Sequence, residues 1–394
     1  MKIGLVLPEV PQYSETFFKY KIKNLADEGY EVIIFSNKPE SKNPDLNCKI
    51  KSAYPVYEES KIRQLIYTPF ILLKTLTGNF KDSKKLIELE RASGNSFTGS
   101  LKSLYINSHI LLEKPDYLHF GFMTMTLKKE NVAKAIGAKM SVSFRGYDIN
   151  VYPLKNPGCY SEAWKNIDKV HTISDYLHAK AIAYGLPENV PFEKITPAID
   201  TKQFSLKLQP GIIKSKLNIL SIGRLNWIKD YETAISAVRK LKDKGIEVTY
   251  DIVGFGPEFE RLNFCAYQLG LEKDVIFHGK KKHSEINVMM ENADIYLQTS
   301  MQEGFCGSVL EAQAKGLLCV VSDADGLKEN VIDEKTGWIA ERRNPLAFSD
   351  KIEMVIGLPE EKRKEIALNA RKRVENDFNM TEQKIKFIKF FENE

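Results

Sequence analysis

The chain is 394 residues long, beyond the size at which one hydrophobic core keeps growing, which excludes a single small module and favours two domains. With 43% hydrophobic and 28% charged residues, and 23 glycines that follow no period, it is neither disordered nor collagenous and folds around a sizeable core. The net charge of +5 is unevenly placed: residues 1–200 carry 27 Lys and Arg against 22 Asp and Glu, and residues 201–394 carry 30 of each. A mostly balanced surface speaks against a nucleic-acid footprint and leaves the excess of the first half for an anionic substrate or a membrane surface.

Cys48, Cys159, Cys265, Cys306 and Cys319 are widely spaced with no C-x-x-C pair, giving neither a disulfide framework nor a thiolate zinc site and fitting a reducing cytoplasm. The apolar run 3–7 stops at Pro8, too short for a signal-peptide core, and no uncharged stretch approaches 18 residues. The expectation is a chain that is neither exported nor membrane-spanning.

Short apolar runs alternate with helix-length amphipathic segments, the pattern of parallel sheets covered by helices. The first half predicts strands at 2–7, 31–36, 116–120, 139–144, 169–173 and 192–196, with helices at 15–28, 61–77, 100–113, 124–136, 159–166 and 175–185. The stretch 61–85 mixes Ile66, Phe70, Ile71, Leu72 and Leu73 with Lys61, Arg63, Lys74, Lys81, Lys84 and Lys85. It reads as a buried core helix or as a membrane-facing one. Pro197, Pro210 and Gly211 break the rhythm over 197–216, which marks a domain boundary. The second half predicts strands at 217–222, 247–253, 275–278, 294–298 and 317–321, and helices at 230–244, 257–269, 283–291, 308–315, 346–356 and 359–377. A last amphipathic segment, 381–394, carries Ile385, Phe387, Ile388, Phe390 and Phe391 in helical phase and reads as packed on a domain surface rather than as a membrane anchor. Two doubly wound α/β domains in tandem put a cleft between them, and such sheets bind ligands beyond the carboxyl ends of their strands.

Three strand–glycine–helix junctions in the second half could carry chemistry. In Glu303-Gly-Phe-Cys-Gly-Ser-Val-Leu-Glu311, two carboxylates can face the start of a helix whose free N–H groups on Gly307, Ser308 and Val309 attract an anion such as a diphosphate. The same letters hold a capping box, Ser308-x-x-Glu311, in which Glu311 merely caps its own helix. Gly223-Arg224-Leu-Asn-Trp-Ile-Lys229-Asp230 sets a guanidinium and an ammonium at a strand end, suited to phosphate oxygens or simply to water. Val253-Gly254-Phe-Gly256-Pro257 permits close backbone approach but lacks the third glycine of a dinucleotide fingerprint.

Taken in order with Val275-Ile-Phe-His278-Gly279, these motifs resemble glycosyltransferase family 4, retaining enzymes of the GT-B fold. Pro197-Ala-Ile-Asp200…Phe204 resembles that family's interdomain crossing, and Gly326…Glu329 with Thr336-Gly337-Trp338 its later motifs. The resemblance implies two Rossmann-like domains facing a central cleft: residues 1–197 for the acceptor, joined by the terminal helix 380–394, and residues 198–379 for the nucleotide-sugar donor. It gives Arg224 and Lys229 the donor diphosphate and its departing charge, Glu303 the donor sugar, and the amides of Gly307 and Ser308 the phosphate or sugar hydroxyls. Glu311 would meet the ribose, Gly223 and Gly254 would line the nucleotide, Gly279 and Lys280 would sit near the base, and Phe305, Cys306 and Val309 complete the loop. Fixed cations and a helix N-terminus stabilise a departing nucleoside diphosphate without a metal. No cofactor is expected beyond the nucleotide sugar as co-substrate, and Asp323-Ala-Asp325 is read as a decoy for a metal motif.

In the first half, Pro11-Gln-Tyr-Ser14-Glu15-Thr-Phe17 resembles the opening of the branch that builds bacterial exopolysaccharides of the colanic-acid type; Ser14 also suits a helix cap with Glu15 in its first turn. His119 ends a strand, and Ser143-Phe-Arg145-Gly-Tyr-Asp148 holds an arginine where the family more often has a histidine directed at the donor sugar. Arg145 is left to meet an anionic sugar or acceptor phosphate, or to pair with Asp148. Ser174 is either near the cleft or a helix cap. The reading is a cytoplasmic glycosyltransferase, peripheral on the inner face of the plasma membrane, that moves a sugar from a UDP or GDP donor to a surface-polysaccharide or lipid-linked acceptor and takes no nucleic acid. The alternatives are a nucleotide-sugar epimerase of the same architecture and a non-catalytic sugar-nucleotide-binding partner.

Overall fold

The computed structural model describes residues 1–11, 16–37, 46, 48–56 and 60–392. The chain divides into two compact units, residues 1–195 with 384–394, and residues 196–383.

The first unit holds one seven-stranded parallel sheet of β1 (Lys2–Leu7), β2 (Glu31–Ser36), β3 (Lys49–Ser52), β4 (Tyr117–Phe120), β5 (Lys139–Phe144), β6 (Lys169–Thr172) and β7 (Phe192–Lys194). Their order is β3-β2-β1-β4-β5-β6-β7, so the direction of winding reverses between β1 and β4. Buried runs such as Ile3–Leu7 and Val32–Phe35 are apolar at every position because helices cover both faces. Helix α1 (Thr16–Asp27) packs Phe18, Ile22 and Leu25 on β1 and β2. The C-terminal helix Met380–Glu392 adds Phe387, Phe390 and Phe391 to the same core.

Three helices follow β3: α2 (Lys61–Gly78), α3 (Phe80–Ala92) and α4 (Phe97–Glu113). Among the described side chains of α2 only Ile71 and Thr75 are buried. On its opposite face Ile62, Leu65, Ile66, Phe70 and Leu73 are 75, 75, 66, 64 and 62% exposed. The core-helix reading of 61–77 therefore fails for this face, since a helical stripe of large apolar groups has no partner among the described residues. The predicted helix 124–136 is also broken, into a 3-10 turn, Met123–Thr126, and a short helix, Val132–Ile136, with Lys128 at φ +63° between them. Among the described residues no helix is long and apolar enough to cross a membrane.

The second unit holds a six-stranded parallel sheet of β8 (Leu217–Ile222), β9 (Val248–Val253), β10 (Val275–Phe277), β11 (Ile295–Gln298), β12 (Leu318–Ser322) and β13 (Trp338–Ala340), ordered β10-β9-β8-β11-β12-β13. Its core runs from Ile219, Tyr250 and Leu297 in the sheet to Ala234 and Val238 on one helix and Phe348 and Ile352 on another. Winding reverses between β8 and β11, which places the ligand crevice of this unit at their carboxyl ends.

Candidate functional site

Three loops interlock at those strand ends. Gly223 N–H donates to the Val253 carbonyl and Gly254 N–H to the Gly279 carbonyl, both at 2.9 Å. Gly254 lies at φ +153°, and a Cβ on it would stand 1.8 Å from the Gly223 carbonyl oxygen, so only glycine lets the loops close. Gly279 and Lys280 leave this knot toward solvent, the Lys280 ammonium 5.4 Å from the exposed Phe255 ring.

After β8 the chain passes Arg224, makes a 3-10 turn over Trp227–Lys229, and enters helix Tyr231–Asp243 through Asp230 at φ +49°. That turn brings the Lys229 ammonium to 2.5 Å from Glu303 Oε1. Ser300 donates to the same oxygen at 2.8 Å and is itself held by Gln298 at 2.7 Å. Burial works against the charge on Lys229, but Glu303 and the hydrogen bond to it prevail and raise its pKa. Arg224 is exposed and carries no ion pair among the described residues.

The helix Gly307–Lys315 begins without a side-chain cap, and the first amide to bond back is Leu310, to the Cys306 carbonyl. Ser308 does not cap it: its hydroxyl accepts from Tyr296 at 2.7 Å and donates to the Ile222 carbonyl at 3.2 Å. Glu311 makes no bond to the helix start, so the capping-box alternative is not realised. Burial alone pushes its carboxyl up to about 7. The amides of Gly307 and Ser308 thus have no hydrogen-bond partner among the described residues and stand at the positive end of a helix. Burial pushes the Cys306 thiol up, with Lys229 opposing.

Phe305, Cys306 and Val309 have buried side chains, Phe305 against Phe378, and can offer a ligand only backbone groups. Their loop is pinned by a residue that sequence reasoning missed. Asn330, fully buried, accepts from the Cys306 amide at 2.9 Å and donates to the Cys306 carbonyl at 3.0 Å. Gly326 supports it from the other side, where a Cβ would meet the Glu303 and Gly304 carbonyls at 2.5 Å. Asp323 accepts from the Arg342 amide and guanidinium at 3.0 and 2.9 Å, and Asp325 lies 3.9 Å from the same guanidinium, so both carboxylates face a cation of the chain itself.

Of the first-half candidates, Ser14 and Glu15 lie outside the described residues. His119 is a core residue rather than an open one. It is 1% exposed, its Nδ1 bonds Ser141 at 2.7 Å, its Nε2 meets Ser143 and Lys21 at 2.9 Å, and Phe390 and Phe391 cover the ring. Ser174 is a buried cap whose hydroxyl accepts from Leu177 N–H at 3.4 Å. Asp148 is buried and accepts from the amides of Arg145, Gly146 and Met123 at 3.1, 2.8 and 2.9 Å. It shapes the loop after β5 and does not hydrogen-bond the Arg145 guanidinium.

An unpaired guanidinium, a lysine–glutamate pair and an uncapped helix start, gathered at strand ends, can hold a diphosphate and take up the charge it gains on leaving. Residues 203–373 match the family model of glycosyl transferases group 1. WcaL of Escherichia coli (strain K12), a glycosyltransferase named for colanic acid biosynthesis, is 27% identical over 405 residues, covering 96% of each chain. The amylovoran biosynthesis glycosyltransferase AmsK of Erwinia amylovora is 27% identical over 399 residues, also covering 96% of each. The Anabaena protein HepE, solved with UDP and glucose, superposes with a TM-score of 0.72 at 15% identity over all of both chains. The second unit is a glycosyl transferases group 1 domain in a GT-B fold, and the chain is a glycosyltransferase.

Proposed function

We propose that this chain moves a sugar from a UDP or GDP donor to a growing surface polysaccharide or a lipid-linked oligosaccharide, as a family 4 transferase acting with retention. The observation that carries the donor side is the uncapped helix at Gly307 beside Arg224 and Lys229, which together offer amides and cations to a diphosphate. Departure of a nucleoside diphosphate develops negative charge, and groups already fixed around it stabilise that charge without reorganising. Arg224 and Lys229 take this part; Glu303 positions Lys229 and meets the sugar, and Glu311, unpaired, accepts from the ribose hydroxyls. No metal is required by this scheme. The likeness to WcaL and AmsK, named for the biosynthesis of colanic acid and of amylovoran, supports the acceptor class.

The exposed stripe of α2 supports docking on an anionic membrane, the inner face of the plasma membrane. Apolar Ile62, Leu65, Ile66, Phe70 and Leu73 stand among exposed Arg63, Lys74, Lys81, Lys84 and Lys85, while the intervening Asp82 is buried against Lys114. Such a face suits the apolar and anionic layers of a lipid headgroup region.

The test is release of nucleoside diphosphate from a panel of UDP- and GDP-sugars, with and without a lipid-linked glycan extract. The proposal expects release from one nucleotide class, stimulated by acceptor and abolished by Glu303→Gln. Conversion of the donor sugar to its epimer without transfer would identify an epimerase, and nucleotide binding with no turnover a non-catalytic partner.

A further inference from the structure

Arg145 follows β5 at its carboxyl end, beside β4, in the part of the first sheet where winding reverses. Its guanidinium lies 3.7 Å above the Phe17 ring centroid and 5.2 Å from that of Phe18. Nε and Nη2 are both buried and neither has a hydrogen-bond partner among the described residues. Asp148, the carboxylate nearest in the chain, is spent on the three backbone amides already described. A second buried cation, Lys21, works against charge at the same place: its ammonium touches His119 at 2.9 Å and lies 4.3 Å over Phe387, and burial with Arg145 lowers its pKa.

A buried N–H without an acceptor destabilises the fold, and more so where the group is charged. The ring of Phe17 offsets part of that cost through its face but accepts neither of the two N–H groups in their plane. What completes such a fork is a planar oxyanion, which takes two parallel hydrogen bonds and the charge together, whereas a sugar hydroxyl would satisfy one N–H and leave the charge. We propose that Arg145 binds an oxyanion, a carboxylate or a phosphate, on the sugar or acceptor received by the first unit. This rests on the transferase reading and narrows it: one of the two substrates carries a negative charge outside the nucleotide. The charge has two sources, an acidic donor sugar or the phosphate of a lipid-linked acceptor.

Calorimetric titration of the full chain separates them. One arm compares the uronate and the neutral hexose of whichever nucleotide, UDP or GDP, the protein binds; the other compares farnesyl diphosphate with farnesol at saturating nucleotide, which fills the phosphate seat of the second unit. The inference expects at least a tenfold preference for the charged member in one arm, weakened by salt. Arg145→Gln removes that preference, Arg145→Lys keeps part of it, and both still bind the plain nucleotide. A uronate preference assigns the charge to the donor, and a farnesyl diphosphate preference to the acceptor. No preference in either arm, or an equal one in Arg145→Gln, overturns the inference while leaving the transferase reading intact; a wild type that binds no nucleotide overturns that reading and this one with it. Should Arg145→Gln lose its cooperative melt, Arg145→Lys and the salt dependence of the wild type decide the matter.

Discussion

Replacing Gly307 by proline separates what this residue does for the fold from what it does for a ligand. Gly307 is the first residue of its helix, where the amide has no intrahelical partner and proline's fixed φ is already suitable. The preceding Cys306 sits at φ −110° and ψ 106°, the extended conformation that proline imposes on its neighbour. A Cβ at position 307 would meet nothing within 4 Å. Proline therefore leaves stability unchanged or raises it by up to about 1 kcal/mol through the unfolded chain. The substitution deletes one N–H from the proposed phosphate seat, and a hydrogen bond to a charged group contributes about 1.5–3 kcal/mol, so nucleoside diphosphate affinity falls by roughly ten- to a hundredfold. Urea unfolding gives the first quantity and calorimetry with UDP and GDP the second. Affinity within twofold of wild type would refute the seat, and a stability loss beyond about 2 kcal/mol would refute the free amide.

Four further outcomes follow from the same geometry. Gly254→Ala forces the Gly223 and Gly254 loops apart, because its Cβ would lie 1.8 Å from a carbonyl oxygen; strain and a lost backbone bond together cost about 3 kcal/mol or more in urea unfolding. Folding raises the Glu311 carboxyl to about 7, so the native state holds its proton more tightly and loses stability as pH rises toward 7. Glu311→Gln then gains about 1–3 kcal/mol at pH 8, a gain that vanishes below about pH 4 where both states are protonated, and it weakens nucleotide binding. Glu303→Gln leaves Lys229 without its counter-ion and costs about 2 kcal/mol near neutral pH. Because folding raises the Lys229 pKa, that stabilisation is complete below the lysine's ordinary 10.5 and fades as pH rises through the folded value, so variant and wild type converge in strong alkali. Phe70→Glu with Leu73→Glu abolishes sedimentation with phosphatidylglycerol vesicles and leaves nucleotide binding intact; a wild type that ignores such vesicles at low salt removes the membrane proposal.

The strands and the donor motifs were legible because their signals are local. Buried parallel strands are apolar runs, and the glycine–helix junctions keep their spacing whatever lies around them. What escaped was set by partners far away in the chain. β3, Lys-Ile-Lys-Ser, shows no apolar run because it edges the sheet, and β13 is only three residues long. Helix α3 hides in a charged stretch, in which Asp82 and Glu90 are buried by partners elsewhere in the fold. His119 looked available because nothing in the sequence shows that Lys21, two serines and the C-terminal phenylalanines enclose it. Asn330 carries no local mark of its grip on Cys306, 24 residues earlier. Whether Ser308 caps its helix depends on Tyr296 and the end of β8, which take the serine hydroxyl.

In the proposed function the strand ends of the second unit hold a nucleoside diphosphate and stabilise it as it leaves. Nucleoside diphosphate release from the nucleotide sugar, measured for wild type and Arg224→Ala with unfolding followed in parallel, tests it most directly. Arg224→Ala is expected to lose at least a hundredfold in turnover with stability changed by less than about 0.5 kcal/mol, since this exposed guanidinium holds no other described residue in place. Turnover equal to wild type, from a protein equally folded, would contradict it.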